Sequence, residues 1–469
     1  ILFDENGTML HTAYVPVRMR TEGSASEYDP GEFKRGLIRV SVSCRTFLEE
    51  SGRSLDALAF TSQRSSILPV DEAGVPLSFF MTWYDKRSAA LSDEMNRRFK
   101  ETIYRTAGMQ ASPVLSSPKI LWLRQNRPEL YRKAFKIIGI QDYLLFLCTG
   151  NFVTDATFGS RTGLMDVRTL SWSDELLSLY GIDKDKLADL LKPASLAGKV
   201  TAAFSRLTGI PEGTPVITSG GDQQCSVLGQ GLFRDGDAGI TCGSGAYTAA
   251  ITSRPLFDKS MRVNLNASVV PGRWVLEAST LSSGTVQDWL NRTFFSGNDG
   301  PLSLEALQKA ASLSGPGANG LIMLPDLAGK GCPDWDDFAR GVFWNIGLET
   351  TAGDFARAML EGLASEIAEC CSVLRELLPL SDKLSLTGGL TRSEDFDRII
   401  ADMTGVPAVR CQNEETTAIG AFIAASCALS RYGSFEEACT VLCPPPEEET
   451  VFLPDPEKTA LYRRIQNAR

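Results

Sequence analysis

Asp222 is the residue whose type and setting point most directly to chemistry. It stands in Ser219-Gly-Gly-Asp-Gln-Gln224, directly after the apolar run Thr214-Pro-Val-Ile-Thr218. That run reads as a strand, and 219–224 reads as the loop at its carboxyl end, with a helix around Val227 and Leu228 to follow. A carboxylate placed there points into the crevice where open α/β sheets bind ligands. Within hydrogen-bond reach of a hydroxyl it can act as a general base, and phosphoryl transfer needs such a group together with donors for the transferring charge. A lone Gly-Gly-Asp equally suits a helix cap or a turn, so its companions decide.

Two further glycine clusters are those companions. Gly243-Ser244-Gly245 sits between the β-like runs Gly239–Cys242 and Ala246–Ala250 and is expected to turn a hairpin over Ala238–Ile251. Successive backbone N–H groups in such a turn, with a serine hydroxyl, make an anion-binding concavity. Thr387-Gly388-Gly389-Leu-Thr-Arg-Ser393 reads as a strand end opening into a helix, where backbone and helix N-terminus favour an anion. Taken alone, each cluster also suits a plain glycine-rich turn. No G-x-x-x-x-G-K-[ST] stretch occurs, which argues against a P-loop enzyme.

The elements that must position these residues alternate between strand and helix. Phe33–Ser51 has helical spacing, Leu55–Phe60 is a strand run entering Thr61–Ser66, and Ile67–Val70 with the turn Asp71–Gly74 starts another hairpin. Residues 113–150 read as mainly helical. Asp354–Leu377 is a long amphipathic helix feeding the strand Lys383–Thr387, a last helix spans about Thr416–Leu429, and Pro444–Thr450 reads as a solvated connector. The alternation argues an α/β fold. With 469 residues the chain exceeds one hydrophobic core, and a domain change is expected at about 229–236.

Composition narrows the function classes. A formal charge of −10 repels nucleic acid and anionic lipid, so neither partner is expected. No run of 18 apolar residues is present. The 11 cysteines are odd in number and form no C-x-x-C, which reads as reduced thiols in a cytoplasmic protein. His11 is the single histidine, so a serine–histidine hydrolase or a histidine metal site is not expected.

In order along the chain, these motifs resemble the FGGY carbohydrate kinases, a group that includes glycerol kinase, xylulokinase and autoinducer-2 kinase. Pro113–Asn126, with Lys119 and Trp122, is similar to the family's first signature, although Val114 departs from it at one position. Asp155–Gly163, Gly221–Gln224, Gly243–Gly245, Leu324-Pro325, Pro333–Trp335, Ala339–Gly341, Gly388-Gly389 and Glu414–Ala421 follow in family order. The resemblance implies two actin-like (ribonuclease H-like, ASKHA) α/β domains, 1–230 binding sugar and 231–469 binding nucleotide, with an interdomain catalytic cleft. It implies Asp222 as the base and Gln63, Arg64, Trp83, Gln223 and Tyr247 against the substrate, with weaker claims for Asp85 and Arg87. Ser244 and Gly245 would meet the phosphates of ATP, while Gly284, Asp288, Gly389 and Ser393 would line the nucleotide. Mg²⁺ would be held chiefly by phosphates and water, with no protein metal ligand assigned.

The resemblance also sets expectations about what departs from it. The family's Asp-x-Gly-Thr/Ser phosphate loop would precede Ile1 and is expected in the native protein. Ser65 stands where glycerol kinases carry a polyol-binding glutamate, and Val114 replaces a tyrosine of the same enzymes. A larger ketose or open-chain carbonyl compound is therefore expected over glycerol. The Met-His-Gly of xylulokinases is also absent, which disfavours D-xylulose. Two rivals stay open: a catalytically degenerate, sugar-sensing member of the fold, and an actin- or chaperone-like ATPase with no sugar acceptor. A homodimer is the assembly kept in view.

Overall fold

Two parallel strands lie side by side at the heart of the first half of the chain. Leu58–Ser62 pairs in parallel with Pro215–Gly221, which pairs antiparallel with Ser195–Lys199. The register matches Val216 to Leu58 and Gly221 to Ser62. Residues just beyond each strand, Gln63-Arg64 and Asp222-Gln223, therefore emerge at one edge of the sheet although the chain separates them widely. The molecule is described by a computed structural model covering residues 1–296, 300–336, 338–444 and 447–468.

The expected loop 219–224 is not a loop. The strand runs on to Gly221 and the helix Asp222–Gly229 starts at Asp222 itself. Gly220 and Gly221 remain in the ladder with Thr61 and Ser62, and burial favours keeping their backbone groups paired. Asp222 is thereby fixed on the first turn of a helix.

The second half holds a seven-stranded sheet in the order Asn264–Ala267, Trp274–Thr280, Ala246–Thr252, Ala238–Cys242, Leu384–Thr387, Ala408–Arg410, Val451–Phe452. The first four are antiparallel neighbours. The next two join in parallel, and the last is antiparallel again. The expected hairpin is present, pairing Ala238 with Ala250 and Cys242 with Ala246 around Gly243–Gly245. An antiparallel run extended by parallel strands with crossover helices is the ribonuclease H-like arrangement.

The long helix runs Ala352–Leu377, two residues earlier than its apolar spacing suggests, because Thr351 and Asp354 form a reciprocal cap. Its buried face, including Met359, Leu363, Ile367 and Leu374, packs into one core with the sheet residues Ile240, Leu276 and Leu386.

Three expectations change in detail. The expected hairpin turns at Asp71–Gly74 and returns antiparallel through Pro76 and Met81, but Leu68–Val70 also forms a ladder with the remote strand Lys136–Ile138. The stretch 113–150 is correspondingly broken by that strand, whose Ile137 and Ile138 are buried. The acidic connector ends in Val451–Phe452, which becomes an edge strand. Pro445 and Pro446 of that connector lie outside the described residues.

Among the contacts that join the halves, two helices pack most closely, Asp222–Gly229 and Thr416–Ala428. A Cβ on Gly229 would stand 1.9 Å from the Thr416 carbonyl oxygen, and one on Gly420 would stand 1.8 Å from that of Cys225. Reciprocal glycines let these backbones touch, so the helix carrying Asp222 rests directly on the other half.

Candidate active site

Asp222 is held from both sides. Its Oδ1 accepts from the Gln223 backbone N–H at 2.8 Å and lies 3.3 Å from Arg64 Nε. The Thr417 hydroxyl donates to its backbone carbonyl at 3.4 Å, from the helix across the interface. About a third of the side chain (33%) stays open to solvent, while the Arg64 side chain is 7% exposed. The carboxylate is thus flanked by protein but reachable from solvent. Burial raises its pKa, and Arg64 opposes that rise without cancelling it.

Arg64 is the hub of this wall. Its Nη1 donates to Gln224 Oε1 at 3.3 Å and to Glu277 Oε2 at 3.1 Å. Glu277 Oε1 lies 3.5 Å from Arg161 Nη1. Burial works against the Glu277 carboxylate, yet Arg64 and Arg161 outweigh it and hold its pKa below the usual range. Burial pushes the Tyr247 phenol up, and Glu277 adds to that shift. Arg64, Arg161, Asp222, Glu277 and Tyr247 form one electrostatic cluster drawn from both halves of the molecule.

The segment carrying Gln63 and Arg64 is propped from beneath. Lys119 is buried, and its ammonium donates to the carbonyls of Ser65 at 3.2 Å, Val114 at 2.5 Å and Leu115 at 3.0 Å. Three acceptors match the three N–H bonds of an ammonium. Ser65 has a left-handed backbone, φ 69°, and its hydroxyl donates to the Arg161 carbonyl at 3.1 Å. Trp83 Nε1 donates to Gln63 Oε1 at 3.0 Å, and its ring lies 3.9 Å from that of Tyr84. Arg64, Gln223 and Tyr247 therefore act on Asp222 directly, while Gln63, next to Arg64 in sequence, holds Trp83 further out. Asp85 is fully buried and accepts from the Ser26 backbone and from Arg87, which in turn pairs with Glu27. The Asp85 carboxylate is occupied in holding that corner together.

A second group of residues is held together through backbone contacts. Ser283 N–H donates to the Ser244 carbonyl at 2.8 Å and Gly284 N–H to the Gly243 carbonyl at 2.9 Å, so the turn is tied to the helix Gly284–Phe294. A Cβ on Gly388, whose φ is 105°, would stand 2.2 Å from the Cys242 carbonyl oxygen. The end of Leu384–Thr387 therefore lies against the same turn. These contacts gather Ser244, Gly245, Gly284 and Gly389 at the carboxyl ends of adjacent strands. Asp288 is one turn further along its helix and exposed. Ser393 is buried, and its hydroxyl accepts from Phe396 N–H at 3.4 Å, capping its own helix. A cavity of about 480 Å³ opens beside this group, lined by Gly388, Gly389, Arg392, Arg410, Glu414 and Glu447 among others. Of the residues expected at the nucleotide, Gly389 lines it, while Ser244, Gly245, Gly284, Asp288 and Ser393 do not.

A family model for the FGGY carbohydrate kinase N-terminal domain matches residues 1–229, and the model for the C-terminal domain of the same family matches residues 238–429. The chain belongs to the FGGY family of carbohydrate kinases. It is 26% identical over 446 residues to gluconokinase of Bacillus subtilis, covering 93% of this chain and 86% of the relative. It is 30% identical over 466 residues to glycerol kinase of Alkalilimnicola ehrlichii, covering 95% and 91%. Its fold matches the ligand-bound xylulose kinase from Lactobacillus acidophilus with TM-score 0.92 at 24% identity, covering 99% of this chain and 93% of that one. This is an enzyme of the phosphotransferase class with an alcohol group as acceptor, and as a kinase it uses ATP. Its two halves are actin-like domains.

In this FGGY kinase, Glu277 and Arg161 are the site residues that motif reading passed over. Glu277 had a visible signal: it is the single charge in Trp274-Val-Leu-Glu-Ala-Ser-Thr280, a strand otherwise suited to burial. Among the described residues no group of three His, Cys, Asp or Glu side chains could hold a metal ion. No helix of the described residues is long and apolar enough to cross a membrane.

Proposed function

We propose that this FGGY kinase transfers the γ-phosphate of ATP to a hydroxyl of a small sugar, ketose or polyol, with Asp222 as the general base. The observation that carries the reading is the Asp222 carboxylate itself: partly open to solvent, raised in pKa by burial, and held on one oxygen by Arg64. A base works best when its pKa lies close to the working pH while its geometry stays fixed. The Asp222 carboxylate would take the acceptor proton as that oxygen attacks in line, and Arg64, Gln63, Gln223, Trp83 and Tyr247 would orient the acceptor. On the opposite wall, the amides of Gly243–Gly245 and the Ser244 hydroxyl would meet the phosphates, with Gly284 and Gly389 beneath the nucleotide. Mg²⁺ would reach the site on the nucleotide phosphates and supply charge neutralisation there, which suits a wall of amides and hydroxyls. Closure of the two domains would exclude water from the transfer.

The acceptor reading follows from position 65. The Ser65 hydroxyl is spent on the Arg161 carbonyl, so no acid reaches the acceptor from there. This supports a ketose or open-chain carbonyl compound over glycerol. The relatives are named for gluconate, xylulose and glycerol, so the acceptor screen below spans all three classes. The 11 cysteines are unpaired, which suits a reducing cytoplasm.

The test is Asp222→Ala with a coupled ADP-release assay over polyols, aldonates, pentuloses, hexuloses and linear diones. The expected loss in kcat is at least about 100-fold, with ADP affinity retained by calorimetry. Turnover like the unaltered enzyme would overturn the base. ADP release indifferent to every acceptor would favour the ATPase reading.

A further inference from the structure

Glu277 is 3% exposed, in a strand whose remaining residues are uncharged. Burying a carboxylate is costly unless it is paired, and both of its cations come from the other half of the molecule. Arg64 follows the strand Leu58–Ser62, and Arg161 ends the short helix Ala156–Ser160. The ladder matches Glu277 to Ala249 and Ser279 to Tyr247, so Glu277 and Tyr247 project from the same sheet face. The charged and titratable groups facing Asp222 are Arg64, Arg161, Glu277 and Tyr247, with Cys225 on its own helix. Two guanidinium groups thus meet two carboxylates, of which Glu277 is buried and Asp222 partly open to solvent. Without Glu277, both cations would bear on Asp222 alone.

We infer that Glu277 is a positioning residue that engages Arg64 and Arg161 from the second domain and so keeps the Asp222 carboxylate basic enough to accept the substrate proton. The inference rests on the reading of Asp222 as the base. Its sign is fixed by electrostatics: a nearby anion raises a carboxyl pKa, and nearby cations lower it. Glu277 acts on Asp222 in the raising direction, Arg64 and Arg161 in the lowering one. The same contact also makes the basicity of Asp222 depend on how the two domains sit together, because the anion belongs to one domain and the cations to the other.

The experiment is the pH profile of kcat/KM for the sugar, whose acid limb reports the base in the free enzyme. Glu277→Gln keeps the shape and removes the charge. Its acid limb should move to lower pH by on the order of one unit, with kcat reduced and KM for ATP unchanged. Glu277→Asp keeps the charge and should leave the limb near its original position. Arg161→Gln removes a cation and should move the limb the other way, to higher pH. A limb unmoved in Glu277→Gln, or shifted in the same direction by both neutral variants, would overturn the inference. Should Glu277→Gln fail to fold, the double variant Glu277→Gln/Arg161→Gln, which leaves neither charge behind, is read against Arg161→Gln: a lower acid limb in the double variant supports the inference and an equal one overturns it. Asp222→Asn separates the two readings: persistent turnover there defeats the base itself. An inactive Asp222→Asn beside an unmoved Glu277→Gln defeats only the role of Glu277.

Discussion

The two walls of the proposed crevice are built from different materials. The wall proposed to hold the acceptor is made of charged side chains that are almost dry: Arg64, Arg161 and Glu277, with Lys119 beneath them. The wall proposed to hold the nucleotide is backbone, with Gly243, Ser244 and Gly389 exposed. The difference follows from the chemistry each must do. Phosphate oxygens are satisfied by any N–H pointing their way, so amides suffice and glycines clear the approach. Deprotonating a hydroxyl needs a group of set pKa in a set place, and only side chains in a held electrostatic field supply that.

Breaking the hub of the charged wall should cost most. Arg64→Met leaves the buried Glu277 short of one partner and frees Asp222, so the expected destabilisation is about 3–5 kcal/mol. Urea unfolding should show it as a lower midpoint, with sugar phosphorylation lost. A midpoint unchanged from the native enzyme would mean the wall is not held by charge.

The backbone wall should answer to shape instead. Gly388→Ala forces a Cβ toward the Cys242 carbonyl at a φ of 105° and should cost about 2 kcal/mol or more. Its neighbour Gly389 has nothing within 4 Å of a Cβ, so Gly389→Ala should keep stability within about 0.5 kcal/mol. There the added methyl should appear in KM for ATP, with KM for the sugar unchanged. Equal melting temperatures for the two variants would contradict the geometry.

A further effect lies away from both walls and serves as a control. Burial raises the Asp142 carboxyl to about 7, against the lowering pull of the Gly139 N–H at 2.7 Å. The folded state then holds a proton that the unfolded chain releases near pH 4, so stability falls as pH climbs from about 4 to about 7. Asp142→Asn removes that loss. It should melt higher at pH 8, by roughly 1–3 kcal/mol in stability, and match the native enzyme at pH 4. Kinetics at the crevice should be unchanged.

The parts of the fold legible in sequence were those set by local periodicity. The apolar stripe of Ala352–Leu377 and the hairpin around Gly243–Gly245 follow from spacings of 3.6 and 2. The strand Lys136–Ile138 was missed inside a helical stretch because its partner, Leu68–Val70, is remote in sequence. Likewise the extension of Pro215–Gly221 through its glycines came from a ladder with Thr61 and Ser62. Within the site, glycine clusters and their order marked Asp222, Ser244 and Gly389. Ser393 looked available beside Gly388-Gly389, yet its hydroxyl caps a helix.

The sequence by itself therefore determined the two-part α/β plan, the glycine-rich turns and the carboxylate at a strand end, because backbone permissiveness and periodicity are written locally. Only the tertiary structure decided which charges meet. Arg64 and Glu277 are 213 residues apart, and their pairing depends on how two separate sheets face each other. Coulomb energy depends on distance through space and on burial, and neither can be read from spacing along the chain.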